Sequence, residues 1–530
     1  MKVQQLLRTL FIFNLLFSFL IYTKVEAQKL KLSKERIAAL NSISSSQKDL
    51  WQAEMDERER SMEAMMDKAA RENPNKHNEF EQHKLRWARI REKEKYTKDS
   101  LKRIEYNVRL KNTTVSDQSK LDLKGGLFEN IPHEVYRYQQ LDTLIIGDNR
   151  ITYLDKEVFL LPKLTRLSLA YNQLGSMKIR IPKNNSIQDL DLSSNGLQKV
   201  PSGLKNLIGL KKLNLSNNEL GKNGKRVKLK KLKELEELNL SNNELTKIPR
   251  SLKKLKKLKI LKLNNTNLAS LKGLQRLNTL VEFELSNNIV ALDPRYFYSL
   301  NNLEKLTMRK CALIHFPPEI VYLSSLRKLV LPENKLTQLP IEIGQLKNLE
   351  NLMVYKNQLT EIPGEVFELK ELLWLDIYYN QIEHLSDRIS NLGKLEILYL
   401  SHNKFDELPS SLGEVVGLRE LYIHHNQLRE LPDISKLKEL KYLHLQYNHL
   451  TEFPKAILAL TQLEELDLSN NLIVDFPEEI RNFKNLNFIY LNRNQTDLLS
   501  DNYEKFKVAL KELNDKGVGI RFDYPEELTK

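Results

Sequence analysis

Aromatic rings and carboxylates recur at one spacing in the C-terminal half of this 530-residue chain. Tyr355, Trp374, Asp376, Tyr378, Tyr399, Glu420, Tyr422, His424, Tyr442 and His444 each lie six, four or two residues before a recurrent Asn. Positions two apart on an extended segment share one side of it. If successive segments stand side by side about 4.8 Å apart, these side chains form one field rather than isolated points. Phe488 and Tyr490 extend it in the last copy of the pattern. Tyr and Trp carry much of the binding energy at protein interfaces, and exposed aromatic patches mark interaction surfaces. The chemistry implied is recognition of a protein or peptide. Aromatic faces also stack on sugar rings, and Asp376 and Glu420 would accept hydrogen bonds from hydroxyls, so a glycan is the alternative ligand. A plainer role, strand-preferring rings that stack on one another, competes with both. The earlier copies argue against it, because they place only small or polar residues at the same positions, such as Ser168, Ala170, Asp191, Ser216, Asn239 and Ser241.

Other chemistries find less support. His402, His424, His425 and His444 gather in neighbouring copies, and two of them could meet across segments. Metal sites are specified more tightly than this, so no metal and no cofactor is expected, and a metal-dependent hydrolase is only a third reading. The single cysteine, Cys311, falls at a buried position of the repeat, which disfavours a thiol nucleophile and rules out an intramolecular disulfide. Gly-rich phosphate loops, HExxH zinc motifs and GxSxG elbows are missing. The expectation is a non-catalytic protein.

The elements that position the field are written by a repeat. Aligned on Asn471 of Leu463-Glu-Glu-Leu466-Asp-Leu468-Ser-Asn-Asn471, equivalent residues fall at 126, 149, 172, 195, 218, 243, 266, 288, 311, 334, 357, 380, 403, 426, 448, 471 and 494. The steps are 23 residues, apart from one of 25 and two of 22. A fixed period of this length dictates a stacked architecture. The central Leu-x-Leu sends both leucines to one face of a short strand, and only stacked neighbours bury them. The Asn turns inward because its amide both donates and accepts, and so satisfies backbone groups left open where the chain leaves the strand. Fourteen of the seventeen copies have Asn there; the exceptions are Gly126, Thr266 and Cys311.

These features, with continuations such as Leu336-Thr-Gln-Leu339-Pro340 followed by Ile343 and Leu346, resemble the leucine-rich-repeat proteins. The 23-residue variant is similar to that of bacterial secreted or envelope repeat proteins and of Ras-scaffold-like repeat proteins. The resemblance implies an α/β solenoid, a horseshoe with a parallel concave β-sheet and a helical cap at each end. It says almost nothing about the ligand, since such folds host many binding roles.

Around the repeats, residues 1–27 read as a signal peptide. Lys2 and Arg8 precede an apolar run from Leu10 to Tyr22, and Val25-Glu26-Ala27 offers a cleavage site. Export follows, to a bacterial envelope or the exterior, because one cysteine cannot build the disulfide-bonded caps usual in secreted animal and plant relatives. Past the cleaved leader no integral membrane segment is expected. Residues 28–117 read as a charged helical N-terminal cap that shields the open solenoid end, with a separate coiled-coil interaction arm as the alternative; helices are expected near 33–72 and 80–101, then an alternating strand through Ile104, Tyr106, Val108 and Leu110. Residues 118–498 hold the seventeen repeats and 499–530 a C-terminal cap, with a helix over 498–514 and an extended tail from Val518 to Tyr524. The net charge of +14 includes a lysine cluster over 222–262, but Glu234, Glu236 and Glu237 interrupt it and no aromatic residue is interleaved, so no nucleic-acid partner is expected.

Overall fold

The structure, a computed structural model, describes residues 106, 110, 119–175, 181–183, 186–222 and 227–523. The expected signal peptide and the helices near 33–72 and 80–101 lie outside these residues. Among the described residues no helix is long and apolar enough to cross a membrane.

Among the described residues, eighteen strands of three residues each, from Lys120–Asp122 to Gly519–Arg521, form one sheet in which sequence neighbours are spatial neighbours. Every pairing is parallel. The register follows the sequence period, so that Leu375, Leu398, Leu421 and Leu443 stand in one row. The two leucines of each strand segment point inward as expected: Leu398, Leu400, Leu421, Leu443 and Leu445 are fully buried. The chain is thus a leucine-cored solenoid, each repeat burying its apolar face against the next.

The return segments follow from proline. Pro340, Pro363 and Pro409 each hold an extended backbone just before a five-residue 3-10 turn, at Ile341–Gln345, Gly364–Glu368 and Ser410–Glu414. Five residues are too few for a packed α-helix, so the returns stay narrow enough to match strand spacing.

The Asn ladder does the work that its chemistry predicts. Asn471 Nδ2 donates to Leu445 O of the preceding repeat at 3.0 Å and to Leu468 O at 3.1 Å, while its Oδ1 accepts from Leu450 N at 3.2 Å. Thr266 substitutes in part, donating its hydroxyl to Leu263 O at 2.8 Å. The Cys311 thiol points at Leu285 O, 3.4 Å away, and burial pushes its pKa up to about 11, which leaves it unreactive at neutral pH. At Gly126 the slot is closed by rings instead: a Cβ there would lie 2.4 Å from Phe128. The residue before each ladder position adopts a left-handed backbone, from Asp148 (φ 54°) to Arg493 (φ 56°).

Two local expectations are corrected. Tyr106 and Leu110 are helical, not part of an alternating strand. Their separation of four puts both on one helical face, where Leu110 is buried and Tyr106 donates its hydroxyl to Lys124 O at 3.0 Å. At the other end the α-helix runs Asp501–Asp515, and Leu499 ahead of it is 94% exposed. Within the expected extended tail, Gly519–Arg521 forms a strand that pairs with Phe488–Tyr490 and supplies the edge partner the last repeat would lack. Phe506 of the helix stacks on Phe476 with centroids 5.2 Å apart, covering the end of the core.

Candidate functional site

The ten residues singled out from the sequence stand on five successive strands, Asn351–Met353, Trp374–Asp376, Ile397–Tyr399, Glu420–Tyr422 and Tyr442–His444, and on the residues that follow them. All project from the open face, opposite the leucines. Parallel register sets Tyr399, Tyr422 and His444 directly across from one another. Their rings meet accordingly, Tyr399 to Tyr422 at 4.6 Å and Tyr422 to His444 at 4.5 Å between centroids. Trp374 joins the row diagonally, 5.8 Å from Tyr399 with its ring nearly perpendicular. Tyr378 and His424 belong to a second group, 6.4 Å apart. Tyr355 and Tyr442 lie at the margins, and among the described residues no close ring pairing joins them to either row; Tyr442 donates its hydroxyl to Glu464 at 3.1 Å.

The field is not uniformly open to solvent. Asp376, expected as an exposed acceptor, is only 6% exposed, because the large side chains flanking it on both sides shield a short carboxylate. Among the described residues, its one hydrogen bond comes from the Tyr378 amide at 3.1 Å. Burial without a cation raises its pKa to about 6. Glu420 accepts the Tyr399 hydroxyl at 3.0 Å. Burial, reinforced by that carboxylate, drives the Tyr399 phenol well above the usual range, and burial holds Tyr422 up at about 12.

Polar satisfaction gives the clearest local signal. Trp374 Nε1, Ser401 Oγ, His444 Nε2 and Gln446 Oε1 are buried yet have no hydrogen-bond partner among the described residues. His444 Nε2 stands 3.4 Å from Glu465 Oε1 without hydrogen-bonding geometry. All four lie on the open face, in three repeats, those whose ladder residues are Asn380, Asn403 and Asn448. Buried polar atoms are otherwise almost always paired, and each exception calls for an explanation.

Sequence reasoning named His402 and His425 but missed the second column of rings to which they belong. Tyr379, His402, His425 and Tyr447 occupy the left-handed position just before the ladder residue in four consecutive repeats. His402 stacks on His425 at 4.1 Å and His425 on Tyr447 at 4.2 Å, with Tyr379 5.1 Å beyond His402. The signal was present as four adjacent rings in a column that elsewhere holds Asn217, Asn242, Asn265, Asn287 and Asn470. The early repeats carry ion pairs on this face instead, Arg166 with Asp189 and Lys212 with Glu237. In the lysine cluster, Lys257 pairs with Glu234 and Lys259 with Glu236, so much of that charge is locally balanced.

A leucine core, an inward Asn ladder and a single parallel sheet define a class of solenoid whose repeats present one continuous face. Comparison with known proteins agrees. The family description "Leucine-rich repeat region" matches residues 309–430, and "Leucine rich repeat" matches 139–197 and 438–495. A leucine-rich-repeat protein of Leptospira interrogans is 31% identical, with a TM-score of 0.62; the alignment covers 79% of this chain and 98% of that one. The chain belongs to the leucine-rich-repeat proteins. The leucine-rich-repeat ectodomain of a plant membrane receptor kinase from Arabidopsis thaliana, solved in complex with Casparian strip integrity factor 2, is 26% identical with a TM-score of 0.50, over 69% of this chain and 52% of that one. Protein flightless-1 homolog of Caenorhabditis elegans is 33% identical over 107 residues, which is 19% of this chain and 8% of that protein.

Proposed function

We propose that the chain is a non-catalytic binding scaffold that takes a protein or peptide segment along the open face of repeats 11–15, the repeats whose ladder residues are Asn357, Asn380, Asn403, Asn426 and Asn448. The observation that carries this reading is the coincidence, on one short stretch of sheet, of the aromatic rows and the four partnerless buried polar atoms. An extended peptide offers alternating N–H and C=O groups that Trp374 Nε1, Ser401 Oγ, His444 Nε2 and Gln446 Oε1 would meet once their side chains turn outward, since each atom is closed to solvent in the free protein. The solved complex of the plant receptor ectodomain supports such a use of the fold. Sugar stacking is less favoured, because Trp374, Tyr399 and Tyr422 meet edge to face at 71° and 76° and so cover one another's faces. We further propose that the protein is exported after cleavage of its leader.

The test is a pull-down from surface extracts with the mature protein, repeated with Tyr422→Ala and with Ser216→Ala on the same face of an early repeat. Tyr422→Ala should weaken capture by a true partner about 5- to 100-fold, as loss of a ring at a hot spot does, and Ser216→Ala should leave it unchanged. Equal capture by both variants would place the partner elsewhere. Capture that survives protease treatment of the extract but not deglycosylation would favour the glycan instead.

A further inference from the structure

The second ring group also brings three imidazoles to one point. His402 and His425 are stacked at the left-handed positions of adjacent repeats, and His424 leans over both, its centroid 5.3 Å from His402 and 5.1 Å from His425. The Nδ1 atoms of His424 and His425 are 2.9 Å apart, and one ring nitrogen from each of the three residues lies within 4.8 Å of the others. We propose that His402, His424 and His425 together bind one divalent transition-metal ion of the zinc class, each through a single ring nitrogen. This reading does not depend on the identity, or the existence, of a peptide partner.

Donor chemistry and spacing support it. Imidazole suits zinc, copper and nickel, and three protein ligands with one open position form a recurrent zinc arrangement. With metal–nitrogen bonds of about 2.0–2.1 Å, tetrahedral donors stand roughly 3.3–3.4 Å apart. The His424 and His425 Nδ1 atoms share a hydrogen bond at 2.9 Å, so on binding that proton moves to a far ring nitrogen and the pair opens slightly while His402 closes. The stacked rings of His402 and His425 lie 14° from parallel, and lone pairs in parallel planes do not converge. Metal binding therefore tips one ring about its second side-chain torsion, which has a broad, shallow preference. All three side chains are partly exposed, which leaves room for that turn and for the open coordination position. The Tyr378 ring, 5.1 Å from His402, walls one side.

A purely structural ring stack would not need histidine here, since other repeats fill the left-handed slot with Asn and the preceding one with Ser, as at Ser216-Asn217, Ser241-Asn242 and Ser469-Asn470.

Those repeats supply the test. The full chain, carrying no histidine tag, is titrated with zinc alone by calorimetry, and with cobalt alone while visible absorption reports nitrogen coordination. It is compared with His424→Ser, with His402→Asn and His425→Asn, which restore residues the same fold already accepts, and with His384→Asn at an exposed histidine outside the cluster. One zinc per chain is expected, with at least a tenfold loss of affinity in each cluster variant, loss of the cobalt absorption, and no change for His384→Asn. Circular dichroism confirms that the variants keep the fold. Zinc uptake by the folded triple variant equal to that of the parent, or an equal loss in His384→Asn, would overturn the proposal.

Discussion

Replacing Asn403 by Ala should open the solenoid locally beneath the aromatic field. Asn403 is 8% exposed and ties two repeats together. Its Nδ2 donates to Ile377 O and Leu400 O, both at 3.0 Å, and its Oδ1 accepts from Ile382 N at 3.1 Å. The two carbonyls keep a second donor after the substitution, because Asn380 Nδ2 reaches Ile377 O at 2.9 Å and Asn426 Nδ2 reaches Leu400 O at 3.2 Å. The Ile382 amide has no such reserve. Orphaning a buried N–H costs about 1–3 kcal/mol, and weakening two carbonyls adds to it, so a total loss of roughly 2–4 kcal/mol is expected. Asn403→Thr should fall between, since a hydroxyl can copy Thr266 by donating to the repeat's own carbonyl but is too short to replace both arms of the amide across two repeats. Because long repeat arrays need not unfold in one step, the direct assay is native-state hydrogen exchange at the Ile382 amide beside chemical denaturation. Unchanged protection of Ile382 in a folded Asn403→Ala protein, with an unchanged denaturation midpoint, would show that the ladder hydrogen bonds do not hold the repeats.

Three further outcomes are expected. Asp376 rises from 3.8 unfolded to about 6 folded, so its contribution to stability is full below about pH 4 and is lost as pH rises through about 6. Asp376→Asn, which reproduces the Asn214 and Asn239 of earlier repeats, should therefore gain about 1–3 kcal/mol over the parent at pH 7 and little at pH 4; a stability difference that stays flat from pH 3.5 to 7.5, read by denaturant titration, would exclude the buried carboxylate. Leu400→Ala, at a fully buried strand leucine, should cost about 2–5 kcal/mol in the same titration, and an unchanged midpoint would mean the assigned faces are reversed. N-terminal sequencing of the protein recovered from its producing cells should begin at Gln28, and an intact Met1 on cytosolic protein would refute export.

The sequence by itself determined the architecture, because a solenoid is the rare fold in which period, strand register and burial are the same information. Once Asn471 and its equivalents were aligned, the inward direction of Leu400 and Leu445 and the shared face of Trp374, Tyr399 and Tyr422 followed from alternation alone. The local errors fell where the period ends. Tyr106 and Leu110 fit both a period of two and a spacing of four, and only packing against the first repeats selected the helix. The extended run of the tail was legible, but the pairing of Gly519–Arg521 was not, since it depends on the open edge of Phe488–Tyr490. Within the candidate site, the sequence located the residues, but side-chain size and direction decided what they became. Asp376 lost its solvent to larger neighbours, and Trp374 Nε1 and Gln446 Oε1 were left without partners. The left-handed turn before each ladder residue carried Tyr379, His402, His425 and Tyr447 into a stack that strand alternation does not describe. A period fixes which residues are neighbours; the distances between their ring nitrogens depend on backbone torsions and rotamers, which only the folded chain sets.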